Sequence, residues 1–198
     1  MKIKMKEKRK KIACLGFSAN PPHLGHLLVA QQVLDFTGVD EVWLIPCFQH
    51  VFDKQLIRAE FRWEMTKMME RPKIKACDIE LQRKKKSYTI DTVLALKKRY
   101  PAYQFSWIIG SDLIKDESYK KWGRWKELEQ EINFWVFPRK GFVLDKPLAS
   151  CFNLISSSNL VISNISSTII RERLRKGLSI KGLVTPEVED YIYRKLTF

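Results

Sequence analysis

The sequence predicts an α/β fold: a Rossmann-like, doubly wound parallel sheet of five to six strands, with helices on both faces and a helical C-terminal end. Three observations carry that expectation. Short runs that are almost wholly apolar, such as residues 12–17 and 105–110, alternate with longer stretches whose apolar residues recur at helical spacing. Proline or glycine closes nearly every run. The chain has 198 residues, 45% hydrophobic and 29% charged, which suits one soluble domain with a single core. In such a sheet both faces of each strand are covered, so the strands read as continuous apolar runs.

The elements follow in order. Residues 12–17 form the first strand, stopped by Asn20-Pro21-Pro22. Leu24, Leu27, Leu28, Val33 and Leu34 give residues 24–36 a helical stripe, and Gly38 sits where a C-terminal cap belongs. Residues 42–46 are a second strand with a proline stop, followed by a polar loop and a helix over 58–70 that Pro72 halts. A third strand is expected over 74–79 and a helix over 88–100 ending at Pro101. Residues 105–110 and 132–137 supply the fourth and fifth strands, and 159–163 a last short one. Two helices close the chain at 166–176 and 186–196, the second with Thr185 as cap and Pro186 in its first position. Residues 1–11 read as a basic, flexible leader and 12–198 as a single domain.

Bulk properties narrow the function. Cys14, Cys47, Cys77 and Cys151 lie far apart with no C-x-x-C pair, as expected of reduced thiols and not of a disulfide framework. The apolar run after the basic leader is only six residues long, short of the roughly 7–15 of a secretory signal. No uninterrupted apolar stretch reaches the roughly 20 residues of a membrane span, so a cytoplasmic protein is expected. The net charge of +14 suggests nucleic acid, yet the leader holds +6 of it and the remaining +8 is spread over the chain. A pocket for anionic small molecules also explains a positive field. Nucleic acid is therefore not the expected partner.

Chemistry concentrates after the first strand. His23 and His26, three apart at the opening of a helix, share one face of its first turn. Backbone N–H groups and the positive end of the helix dipole point the same way, which makes an anion site. Gly25 admits close approach of a ligand, and Ser18 offers a hydroxyl at the strand end. An isolated H-x-x-H is more often a capping histidine beside a core histidine. Zinc would need further ligands, and neither His50 nor the scattered cysteines have ligand spacing. The position at the first strand-to-helix turn of an α/β chain, where nucleotides usually sit, favours phosphate. Near the end, Ser166-Ser167-Thr168 opens a helix carrying Arg171, which is either a plain N-cap with a solvated arginine or a second phosphate cradle. Gly110 and Asp112 follow the fourth strand, where a carboxylate meets a ribose or caps the next helix.

The segment from Gly16 to His26, GFSANPPHLGH, resembles the H/T-x-G-H signature of the nucleotidyltransferase superfamily, in the extended form of nicotinate (nicotinamide) mononucleotide adenylyltransferases. The resemblance continues through Lys54, Arg62 and Met65, Asp78-Ile79-Glu80-Leu81, Ser87-Tyr88-Thr89-Ile90-Asp91-Thr92, Gly110-Ser111-Asp112 and Trp122-Gly123-Arg124-Trp125, then Pro138-Arg139-Lys140-Gly141 and Ile165 to Arg171. Two departures stand out: the family often has glycine where Phe17 stands and Phe-Asp where Ala19-Asn20 stand.

The resemblance implies attack by the 5′-phosphate of nicotinate mononucleotide on the α-phosphorus of ATP, giving deamido-NAD and pyrophosphate in NAD biosynthesis. It implies His23, His26, Lys54 and Arg171 as the catalytic cations and donors, with His26 foremost. It places ATP on Phe17, Ser18, His23, Gly25, His26, Gly110, Asp112, Ser166, Ser167, Thr168 and Arg171. The pyridine mononucleotide falls to Lys54, Ser87, Tyr88, Thr89, Trp122 and Arg139, with Trp122 for the ring and Trp125 for packing. Magnesium is expected to arrive with the ATP phosphates, held by no protein side chain. Sister enzymes with nicotinamide mononucleotide or phosphopantetheine as acceptor, and a noncatalytic basic nucleic-acid-binding module, are the alternatives. Oligomeric state is not legible.

Overall fold

The computed structural model describes residues 9–52, 55–144 and 147–196. Among them six strands form one parallel sheet: β1 (Lys10–Phe17), β2 (Glu41–Pro46), β3 (Ile74–Ala76), β4 (Tyr103–Gly110), β5 (Asn133–Phe137) and β6 (Phe152–Leu154). Their order is β3-β2-β1-β4-β5-β6. Because alternate side chains of a strand point to opposite faces, Ile12 and Cys14 join one core, whereas Ala13 and Leu15 join the other. The helices α1 (Leu24–Thr37), α2 (Ala59–Lys67), α7 (Ser167–Arg175) and α8 (Pro186–Lys195) cover the second face. The helices α3 (Ile79–Arg83), α4 (Thr89–Arg99) and α6 (Trp125–Glu131) cover the first, and α5 (Ser111–Lys115) with a 3₁₀ turn, Ser118–Lys121, links β4 to α6.

Chain direction through the sheet reverses between β1 and β4, which lie side by side in the middle. Loops leaving the carboxyl ends of these two strands diverge to opposite faces and open a crevice, the general ligand position of doubly wound sheets. The sequence-predicted site residues among those described lie on strand ends, loops and the first two turns of helices at this end.

Three expectations are corrected. The third strand stops at Ala76 because it is an edge strand paired only with β2. The Cys77 N–H still donates to the Leu44 carbonyl at 2.9 Å, after which the chain turns and buries Ile79 and Glu80 from the helix α3. Short apolar alternation does not separate these two outcomes. The segment 159–163 is not a strand, since its backbone meets a side chain in place of a neighbour. The buried Gln32 amide accepts from the Val161 N–H at 2.6 Å and donates to the Val161 carbonyl at 2.9 Å. The sixth strand is Phe152–Leu154, with Phe134↔Phe152 in register. The short helices α3 and α6 and the 3₁₀ turn are further elements not expected from sequence.

Gly38 caps α1 in the left-handed conformation, φ 68°, and Thr185 Oγ1 accepts from the Val188 N–H at the start of α8. All four cysteines are free and buried. No helix among the described residues is long and apolar enough to cross a membrane.

Candidate active site

The loop between β1 and α1 is held at nearly every residue. Arg62, from α2, is 1% exposed and donates to the Ser18 carbonyl at 3.0 Å, the Phe48 carbonyl at 2.7 Å, the Ile57 carbonyl at 3.0 Å and the Cys47 carbonyl. A guanidinium fits here because its planar fork reaches several acceptors at once, and carbonyl oxygens replace the water it lost. The Ile57 N–H donates to Asn20 Oδ1, Arg171 Nη1 donates to the Asn20 carbonyl at 2.8 Å, and the Ser167 hydroxyl donates to the Pro21 carbonyl at 2.8 Å. Ala19 takes φ 52° within this frame and is 1% exposed. A non-glycine residue in that region costs about 1–3 kcal/mol, held by the bonds around it. The departures at Ala19 and Asn20 therefore leave a tightly fixed loop.

That loop delivers His23 and His26 to the first of two adjoining cavities, of about 270 Å³, which Gly110, Arg139 and Ser166 also line. The His23 and His26 rings lie 3.6 Å apart between centroids at 32°, and Phe17 covers His26 at 4.6 Å. The His23 N–H donates to Nδ1 of His26 at 3.2 Å. An accepting Nδ1 leaves the proton of a neutral imidazole on Nε2, the opposite edge of the ring. Burial, and then the positive charge of Arg139, lower the His23 pKa to about 4. Burial, with His23 and Arg139, holds His26 well below its ordinary value. Both rings are thus neutral donors at neutral pH before an anion arrives. His23 Nδ1 is buried and has no hydrogen-bond partner among the described residues.

Gly25 is required by close approach. A Cβ there would sit 2.9 Å from His23 Nδ1 and 3.3 Å from the Ile165 carbonyl, just ahead of α7. The starts of α1 and α7 therefore abut, and both border the cavity. Not every amide expected to be free is so: the Leu24 N–H donates to the Leu183 carbonyl at 2.9 Å. Ser166 acts as the N-cap of α7, its hydroxyl accepting from the Ile169 N–H at 3.3 Å. Arg171 Nη2 donates to Thr168 Oγ1 at 3.2 Å. Of the triplet, Ser166 lines the cavity, whereas Ser167 and Arg171 clamp the β1 loop.

Beyond β4, Arg139 Nη1 pairs with Asp112 Oδ2 at 3.2 Å, and Asp112 Oδ1 is buried without a partner among the described residues. Gly110 leaves room for both, since a Cβ there would collide with Asp112 Oδ1 and Arg139 Cδ. Arg139 lines the first cavity and not the second.

The second cavity, of about 180 Å³, is lined by Ser18, Cys47, Glu80, Ser87, Tyr88 and Thr89 among others. It shares the wall of Gly16, Phe17, Trp107 and Trp122 with the first. A Cβ on Gly16 would strike the Trp107 ring, so glycine here lets that indole lie against the strand. Tyr88 is the N-cap of α4 but puts no side-chain bond on its first-turn amides. The Tyr88 ring lies against Gly123, where a Cβ would be 2.7 Å from Cδ1. Trp125 stacks on Phe152 at 5.8 Å and 12°, a core role, whereas Trp122 faces both cavities. Lys54 lies outside the described residues. Among the described residues no three His, Cys, Asp or Glu side chains gather as a metal site.

Sequence reasoning missed four contributors. Trp107 had no signal beyond a strand pattern, and Ile162 and Ser163, which line the first cavity, were assigned to a strand. Glu80 sat within a matched motif but carried no role.

A parallel sheet in the order 3-2-1-4-5-6 with two histidines at its switch point defines a nucleotide-handling α/β protein. Residues 15–173 match the cytidylyltransferase-like family, and the chain belongs to it. Within that class it is a member of the nicotinate-nucleotide adenylyltransferases. It is 36% identical over 187 residues to the nicotinate-nucleotide adenylyltransferase of Bacillus subtilis, covering 92% of this chain and 95% of the relative. It is 39% identical over 191 residues to the probable nicotinate-nucleotide adenylyltransferase of Halalkalibacterium halodurans, covering 94% and 90%. The fold matches the solved Plasmodium falciparum nicotinic acid mononucleotide adenylyltransferase complexed with NaAD, with a TM-score of 0.78 and 27% identity over 93% of this chain and 95% of that one.

Proposed function

We propose that this chain transfers AMP from ATP to nicotinate mononucleotide, releasing pyrophosphate and deamido-NAD. The observation that carries the reading is the pair of adjoining cavities with a common wall at Gly16, Phe17, Trp107 and Trp122. Two substrates seated on either side of that wall meet where β1 ends.

ATP occupies the first cavity, its phosphates against the His23–His26 edge and the start of α7. Nicotinate mononucleotide occupies the second, its ring against Trp122 and an anionic group at the open first turn of α4. The 5′-phosphate oxygen attacks the α-phosphorus; the new P–O bond forms as the bond to the β-phosphate bridging oxygen breaks, and pyrophosphate leaves with the electron pair. No enzyme nucleophile is required, so the protein contributes alignment and donors for the developing charge. His26 Nε2–H is such a donor, His23 lines the same cavity, and the phosphates themselves raise the affinity of both rings for protons. Magnesium enters as part of the Mg-ATP substrate, kept by phosphate oxygens and water in its usual manner. Lys54, which follows β2 in sequence, is the further cation that the resemblance implies.

A carboxylate on the pyridine ring matches the amides of α4 better than a carboxamide does, because a helix start favours negative charge. This supports the deamidated acceptor. Both cavities are lined from Leu15 onward, which supports residues 12–198 as the catalytic unit. Four free, buried thiols and a soluble nucleotide pair of substrates support a cytoplasmic setting.

Pyrophosphate release with Mg-ATP and four acceptors, namely nicotinate mononucleotide, nicotinamide mononucleotide, phosphopantetheine and glycerol phosphate, tests the proposal. The deamidated acceptor is expected to give the highest kcat/KM. No release with either pyridine mononucleotide would sink it.

A further inference from the structure

The second cavity has a carboxyl in its wall that the transfer chemistry does not use. Glu80, in the short helix α3, is 4% exposed, yet it lines the cavity. Its Oε1 accepts from the Thr92 hydroxyl at 2.7 Å, and the Ser87 hydroxyl bears on the same carboxyl. Ser87 Oγ in turn accepts from the Phe48 N–H at 3.0 Å. Arg62 takes up the other side of that residue, donating to the Phe48 carbonyl at 2.7 Å and to the Ser18 carbonyl at 3.0 Å. One run of polar contacts thus passes from the β1 loop to the β2 loop, to Ser87, to Glu80 and into the first turns of α4.

We infer that Glu80 is a positioning residue for the acceptor, holding the β2 loop and the open first turn of α4 at the separation the pyridine mononucleotide needs. The inference rests on the acceptor site assigned above. Its logic is that of satisfaction. Two hydroxyls converge on one buried carboxyl, and each lies on a segment that borders the second cavity. Removing the carboxyl takes the nearer acceptor from Thr92, leaving it the Tyr88 carbonyl at 3.3 Å, and frees Ser87 to rotate away from Phe48. The first cavity touches this network only through the loop after β1, which Arg171 and Ser167 also hold at the Asn20 and Pro21 carbonyls.

The test is steady-state pyrophosphate release by the full chain, varying each substrate with the other saturating. The unaltered chain comes first: lack of turnover with either pyridine mononucleotide would end the functional reading before Glu80 is reached. With turnover established, Glu80→Ala is expected to raise the acceptor KM about tenfold, the weight of one net buried hydrogen bond, while the ATP KM moves less than twofold. Glu80→Gln preserves volume and one hydroxyl partner, so it should fold as the parent does and raise the acceptor KM by a smaller factor in the same selective way. Equal rises in both KM values would reduce Glu80 to general scaffolding. An unchanged acceptor KM in Glu80→Gln together with Glu80→Ala, or in Glu80→Gln alone where the alanine variant does not fold, would overturn the inference.

Discussion

The His23 N–H is hydrogen-bonded to Nδ1 of His26 at 3.2 Å, so the helix cap of α1 and the tautomer of its second histidine are one feature. A backbone donor to Nδ1 leaves Nε2 protonated without any charge on the ring, and that is the edge free for a phosphate oxygen. His26→Ala is expected to lower kcat by about 10²–10³, the usual loss for one preorganised donor at a developing oxyanion. Thermal unfolding should show the fold retained, and a drop in kcat under fivefold would remove His26 from the reaction.

The same burial has a pH consequence. His23 titrates near 4 in the folded chain against about 6.5 unfolded, so between these values the unfolded state binds the extra proton. The stabilising contribution of a neutral His23 is fully present above about pH 6.5 and is lost as pH falls toward 4. The shift corresponds to about 3 kcal/mol, and His26 acts in the same direction. Urea unfolding of the ligand-free chain from pH 7 to 5 should show stability falling with pH. His23→Asn should flatten that slope, and an equal slope in the variant would refute the assignment.

Gly25 separates packing from catalysis. Its missing side chain lets the His23 ring and the Ile165 carbonyl approach α1, so Gly25→Ala must push the ring or part the starts of α1 and α7. The ring is the softer of the two. Helix propensity favours alanine by roughly 1 kcal/mol at such a position, which offsets part of the clash. The expected variant is therefore folded, with a melting temperature close to the parent's and kcat/KM for ATP reduced about tenfold or more. Full activity would show that His23 is not held in a fixed position.

How much of this was legible in sequence follows from the range of each interaction. The strands β1, β2, β4 and β5 and the helix α1 were visible because their patterns repeat over several residues and end at Pro or Gly. The turn carrying His23 and His26 was visible for the same reason, being local. The sixth strand was not, because 159–163 and 152–154 are both short apolar stretches, and only the Gln32 amide, 129 residues away, decides between them. The ion pair of Arg139 with Asp112, which sets it in the first cavity, was not legible. Nothing local announces a partner 27 residues away. Glu80 stood in a recognisable motif, but its meaning lies in Ser87 and Thr92, which only the turn after α3 brings to it.

Arg62 gives the broadest prediction. Its guanidinium is 1% exposed and satisfies four carbonyls from the loops after β1 and β2 and from the segment before α2, with no carboxylate paired to it among the described residues. Lysine keeps the charge but offers one nitrogen on a different geometry, so at least two carbonyls would lose their donor. At about 1–3 kcal/mol for each buried acceptor left unmade, Arg62→Lys should lower stability by roughly 3 kcal/mol. For a chain of this size that is a fall in Tm of about 6–12 °C. Because Ser18 borders the turn to the first cavity and Phe48 the approach to the second, KM for both substrates should rise together, in contrast to the selective effect expected at Glu80. Calorimetric melting alongside two-substrate kinetics reads both quantities. A variant with unchanged Tm would mean that water replaces the guanidinium at no cost, and the fixed β1 loop would then need another cause.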